Sequence, residues 1–173
     1  MLRRPCWVEI STSSFEHNYR VLTQPGGAES GAPAVELLAI VKADAYGHGL
    51  AFCAPAAVRA GARWLGVTSV EEGVTARELC PSAEILVIGG PFRGQGTIVL
   101  SHRLTPVVWE PWQLDELEAA VKAAGSDAGL VDVHLELDTG MSRQGVGASQ
   151  LAEMLERLGS GTVLRLGGVM THL

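Results

Sequence analysis

The chain has 173 residues, 47% hydrophobic and 18% charged, which is the composition of an ordinary globular protein and not of a disordered one. It carries 13 basic and 19 acidic residues, a net charge of −6, with no Lys/Arg cluster, so nucleic acid is not an expected partner. The longest apolar runs fall far short of the ~18 residues a membrane span needs, and MLRRPCW has no apolar stretch behind its arginines, so neither a span nor a signal peptide is expected.

Trp7–Ile10 predicts a short strand. Ser11 or Ser13 then caps a helix running to about Leu22, and Ser13 with Glu16 has capping-box spacing. PGGAESGAP, residues 25 to 33, predicts a loop. Beyond it, strand-like and helix-like segments alternate. Strands are predicted at Val35–Val41, Trp64–Thr68, Glu84–Ile88, Leu104–Val108, Val131–Leu137 and Arg165–Met170. Helices are predicted near 50–60, 70–79, 95–102, 111–124 and 148–158. In the last two, Leu114, Leu117 and Val121, and then Leu151, Met154, Leu155 and Leu158, recur at helical spacing ahead of Gly125 and Gly159. Pro55 would sit inside the first of the five or kink it.

Such alternation implies βαβ crossovers and a parallel sheet. Short apolar strands such as ILVI suit a sheet covered on both faces. An open doubly wound sheet and a closed (β/α)₈ barrel both fit, but no G-x-G-x-x-G follows the first strand, so a dinucleotide fold loses its main support. A barrel needs eight strands and typically ~250 residues. Six strands therefore predict part of a longer protein, with two sheet edges left open.

Polar, reactive side chains collect just after the strands, and in a parallel barrel those positions share the end that carries active sites. Lys42 follows the apolar Ala39-Ile40-Val41 and precedes a small-residue loop. Most lysines at strand ends are simply solvated. A lysine held beside an apolar pocket, however, loses solvation, which frees its amine to attack a carbonyl; that is Schiff-base chemistry, the means of binding pyridoxal phosphate. Gly47-His48-Gly49 before a helix either cradles a phosphate or simply permits a tight turn. His134, Glu136 and Asp138 alternate along one strand and share a face. No further His/Cys cluster supports a metal there, so a hydrogen-bonded polar network is the expectation. Arg143, seven residues after Glu136 in a glycine-containing loop, is placed to fold back onto that carboxylate. His172 follows the sixth strand and reads equally well as a core histidine. Cys6, Cys53 and Cys80 are odd in number and form no C-x-x-C, which predicts free thiols in a reducing compartment.

VKADAYGHG at 41–49, LDTGMSRQG at 137–145 and GGVMTHL at 167–173 together resemble the alanine racemases, as does the opening WVEISTSSFEHNYRVL. The resemblance covers essentially the whole chain and about the first half of a family member. It implies an α/β fold: residues 1–173 as the N-terminal part of a pyridoxal-phosphate-binding (β/α)₈ TIM-type barrel, incomplete here at about six of eight strands, without the family's C-terminal β-domain. It implies that Lys42 forms the internal aldimine with pyridoxal 5'-phosphate and serves as one of two racemising bases. Tyr46 would hydrogen-bond the cofactor phosphate. Arg143 would approach the phenolic oxygen of the cofactor ring and the substrate. His172 would support an arginine at the pyridine nitrogen. The phosphate would lie on later barrel loops, not on the segment holding Gly47 and Gly49. Glu136 departs from the family, in which a lysine that becomes carbamylated often stands there; a glutamate supplies a comparable anion, so Glu136 is expected to pair with Arg143.

The second base in the family is a tyrosine of the partner subunit's C-terminal domain. Only Tyr19 and Tyr46 are present here and neither matches it, so the chain alone is not expected to racemise efficiently. The resemblance thus implies a cytoplasmic, homodimeric isomerase that takes a small amino acid, interconverts L- and D-alanine and supplies peptidoglycan synthesis, with no metal, nucleic acid or membrane partner. Two alternatives remain: a racemase of another small amino acid such as serine, and a non-catalytic pyridoxal-phosphate-binding protein.

Overall fold

A computed structural model describes residues 7–24, 36–125, 129–160 and 163–173. The expected loop at 25–33, Cys6 and the start of the strand placed at Val35 lie outside the described residues. Trp7–Ile10 is not a strand: among the described residues it has no ladder partner, and Trp7 and Val8 are exposed. The first helix, α1 (Thr12–Leu22), starts at Ser11, whose hydroxyl accepts from the Ser14 amide. The expected Ser13–Glu16 capping box does not form. Glu16 instead pairs with Arg20 one turn on and with Arg59, which ties α1 to a later helix.

Six parallel strands alternate with helices, in the sheet order β1-β2-β3-β4-β5-β6. They are β1 (Ala39–Ile40), β2 (Trp64–Val67), β3 (Glu84–Val87), β4 (Thr105–Val108), β5 (Val131–Leu137) and β6 (Leu164–Thr171). The connecting helices are α3 (Leu50–Arg59), α4 (Val70–Leu79), α5 (Gly96–Ser101), α6 (Pro111–Ala124) and α7 (Ala148–Ser160). This is an incomplete α/β barrel, in which every strand pairs with its neighbour in sequence.

The first four strands are short, at two to four residues. Leu65, Val67, Ile85 and Val87 are sealed between the helices and the barrel interior, with Val107 and Val108 beside them. Pro55 sits inside α3, past its first turn, without ending it. Arg77 of α4 staples the bottom of the sheet, donating to the carbonyls of Pro81, Ala83, His102 and Arg103.

Between β1 and α3 lies an element the sequence did not suggest. α2 (Lys42–Tyr46) is a left-handed turn, with φ of 51°, 53°, 53° and 55° at Ala43, Asp44, Ala45 and Tyr46. Left-handed helical backbone costs non-glycine residues roughly 1–2 kcal/mol each, so surrounding contacts must impose it.

Candidate active site

Because all six strands are parallel, the residues after their C-terminal ends gather at one end of the sheet. Lys42 opens α2, separated from β1 by Val41, and is half-buried. Its Nζ lies 5.9 Å from the centroid of the Tyr46 ring, within cation–π range. The Tyr46 side chain is largely free, at 60% exposure.

Two carboxylates hold the left-handed turn. Asp44 Oδ1 accepts from the Leu50 amide at 2.6 Å, which caps the start of α3. Glu72 Oε1 accepts from the Ala43 amide, also at 2.6 Å. The glycines serve the turn. Gly47 and Gly49 have φ of 80° and 94°, values only glycine adopts at no cost. The amides of Gly47, His48 and Gly49 all donate to carbonyls of the same turn, those of Ala43, Asp44 and Ala45. With these donors spent, a phosphate cradle at Gly47–Gly49 is corrected to a tight turn.

A second group forms after β5 and β6. Glu136, Asp138, Arg143, Gln144 and His172 line one small cleft. Asp138 Oδ1 accepts from the amides of Gly140 (3.0 Å) and Ser142 (2.9 Å), which bends the loop and holds its carboxyl below the usual range. Gly145, at φ 108°, lets the loop return: a Cβ there would sit 2.6 Å from the Asp138 nitrogen. Arg143 is thereby presented at the surface, and His172 is exposed beside it.

The expected Glu136–Arg143 pair is not made. Glu136 is buried, at 2% exposure, and its Oε2 accepts from Gln144 Nε2 at 2.5 Å. The same Gln144 amide donates to Ile88 O at 3.0 Å, so it bridges the ends of β3 and β5. One residue of loop register decides the outcome, turning Gln144 inward and Arg143 outward. Nor do His134, Glu136 and Asp138 form a network. His134 stacks obliquely on Trp64 at 5.5 Å, and burial pushes its pKa down. Among the described residues no cluster of three His, Cys, Asp or Glu side chains could hold a metal ion.

The profile described as "Alanine racemase, N-terminal domain" matches residues 10–173. The chain belongs to the alanine racemase family. It is 40% identical over 171 residues to the alanine racemase of Symbiobacterium thermophilum, covering 98% of this chain and 43% of that protein. It is 37% identical over 174 residues to that of Synechocystis sp., covering all of this chain and 45% of the relative. It therefore spans less than half the length of these curated relatives. In fold it is similar to the alanine racemase of Bartonella henselae, solved with covalently bound pyridoxal phosphate, at a TM-score of 0.80 and 24% identity, covering 95% of this chain and 45% of that one.

Among the described residues, neither Lys42 nor Arg143 takes part in an ion pair. A free amine, a free guanidinium, an exposed phenol and an exposed imidazole at one end of a parallel sheet suit an aldehyde that carries anionic oxygens. Sequence reasoning missed three residues here: Asp44, Glu72 and Gln144. For Glu72 the signal was present, since Ser69-Val70-Glu71-Glu72 has the spacing of a capping box.

Proposed function

We propose that this chain is the N-terminal, cofactor-binding part of a pyridoxal-phosphate-dependent racemase that interconverts L- and D-alanine. The observation that carries the reading is Lys42 at the head of a left-handed turn, on the sheet end that also presents Arg143 and His172. Pyridoxal phosphate, when bound, is an electron sink for the charge left at Cα once its proton is removed.

Lys42 is the covalent anchor and the group that takes or returns a proton on one face of Cα. Tyr46, with its phenol exposed, donates to the phosphate. Arg143, with its planar fork, would hold the cofactor's phenolic oxygen and the substrate carboxylate. His172 would support an arginine that partners the ring nitrogen. Glu136 acts through Gln144 to fix the loop that carries Arg143.

Racemisation needs a second proton carrier on the opposite face. Tyr19 does not serve, because it is buried and its hydroxyl donates to Leu37 O at 2.7 Å. We assign the second carrier to the part of the relatives that this chain does not span, contributed in a homodimer, so that the chain alone binds cofactor without efficient racemisation. A cytoplasmic location and a supply of D-alanine to peptidoglycan complete the proposal. Among the described residues no helix is long and apolar enough to cross a membrane.

The test is a borohydride trap. The sequence has two lysines, Lys42 and Lys122, so the second is an internal reference. After incubation with pyridoxal phosphate and reduction, the expected product is one adduct on Lys42, absent from Lys42→Ala. Equal labelling of Lys122, unchanged in the variant, would sink the reading.

A further inference from the structure

α4 and α6 begin in the same way, with one difference. At α6, Gln113 occupies the third helical position and turns back, its Oε1 accepting from the amides of Trp109 (2.8 Å) and Glu110 (3.0 Å). At α4, Glu72 occupies the same position and does the same, its Oε2 accepting from the amides of Thr68 (2.8 Å) and Ser69 (3.4 Å). A single oxygen completes the helix start in both cases. The carboxylate has a second oxygen, and Glu72 Oε1 reaches across to the Ala43 amide, 29 residues earlier in the chain. That amide belongs to the first left-handed residue, immediately after Lys42.

We propose that Glu72 is a positioning residue for Lys42. Its carboxylate ties the left-handed turn to the end of β2 and the start of α4, and so fixes the backbone from which the lysine projects. Capping alone requires one acceptor oxygen, as Gln113 demonstrates; only a carboxylate supplies the second. The role toward the cofactor rests on the reading of Lys42 as its anchor, whereas the tie to Ala43 does not.

The discriminating variant is Glu72→Gln. Glutamine has one acceptor oxygen and must abandon one of the two sets of amides, and the α6 start shows that a helix start keeps its own. Ser69→Ala is the opposite control, since it removes the hydroxyl that accepts from the Glu72 amide and leaves the carboxylate in place. Three readouts are taken on the full chain: hydrogen exchange of the Ala43 amide without ligand, the Lys42:Lys122 labelling ratio with acetic anhydride, and the same ratio with pyridoxal phosphate and borohydride.

A lost charge-assisted bond predicts that E72Q speeds Ala43 exchange about tenfold or more and shifts both labelling ratios about fivefold. S69A should lower thermal stability while leaving all three readouts within about twofold. If E72Q does not fold, Glu72→Asp, one methylene shorter, is the second variant; its carboxylate cannot span both sets of amides, and it should give the same shifts. Unchanged Ala43 exchange in the folded variant overturns the proposal. So does faster exchange with both ratios unmoved, because the tie would then have no bearing on the lysine. If the unmodified chain shows no preference for Lys42 with pyridoxal phosphate, the cofactor reading fails instead. Exchange and the acetic anhydride ratio still decide the role of Glu72.

Discussion

Leu135 of β5 and Val169 of β6 are register partners in a parallel pair, so their side chains leave the sheet on the same face. Leu135 is fully buried and Val169 is 56% exposed. Both residues lie in paired strand beyond the one irregularity of the ladder, at Gly167, so strand formation does not set the difference. β5 lies between two strands, whereas β6, among the described residues, has a strand on one side and alternates between covered and open positions along its length. In β2, β3 and β4, which have neighbours on both sides, almost every position is buried. Burial here is a property of the neighbours, and the hydrophobic energy follows it.

The largest expected effect tests that contrast directly. Leu135→Ala should cost about 2–5 kcal/mol of unfolding free energy, through lost burial and the cavity left behind. Val169→Ala should fall within about 0.5 kcal/mol. Urea unfolding of each variant measures both. A cost at Val169 equal to that at Leu135 would break the comparison, because it would mean the β6 face is covered in solution.

The same contrast explains what was legible in the sequence. Val131–Leu137 was predicted as a strand and is one, end for end, because its neighbours on both sides enforce what its β-branched and apolar residues prefer. The α6 boundaries also held, fixed by Pro111 at the start and Gly125 at the end. Of the described part of the strand expected at Val35–Val41 only the two residues of β1 are strand, and among the described residues β1 has a single strand neighbour. At the site, the position of Lys42 after an apolar strand was readable, and so was the shared end of the sheet. The left-handed turn was not, because Ala43, Asp44, Ala45 and Tyr46 adopt a conformation their own preferences oppose. It is imposed by Asp44 and by Glu72, and the latter contact joins residues far apart in the chain. The choice of Gln144 over Arg143 as partner of Glu136 was equally hidden, since both lie within reach and only the bend set by Asp138 selects between them.

A smaller effect comes from His134, which points from β5 toward Trp64 and across from Gly168. Burial pushes its pKa below the ordinary imidazole value, and the Asp132 charge opposes this only in part. The folded state therefore binds a proton less readily than the unfolded chain. Stability is fully present above about pH 6.5 and is lost progressively as pH falls from there through the lower folded value. His134→Gln should flatten this slope in a series of unfolding curves taken at falling pH. An unchanged slope would place the pH sensitivity elsewhere.

The smallest effect is expected where β5 and β6 meet at the surface. Arg165 grips Asp132 with two parallel bonds, Nε to Oδ1 at 2.5 Å and a terminal nitrogen to Oδ2 at 2.7 Å. The arginine also holds the Asp132 carboxyl below its usual range. The geometry is the favourable bidentate one, yet the arginine and aspartate side chains are 61% and 40% exposed. Solvent and salt screen such a pair, so Asp132→Asn should cost only about 0.2–1 kcal/mol at low ionic strength and less at high salt. A larger, salt-independent loss would show that this end of the β5–β6 pair is shielded from water. It would then belong with the covered strands and not with the open one.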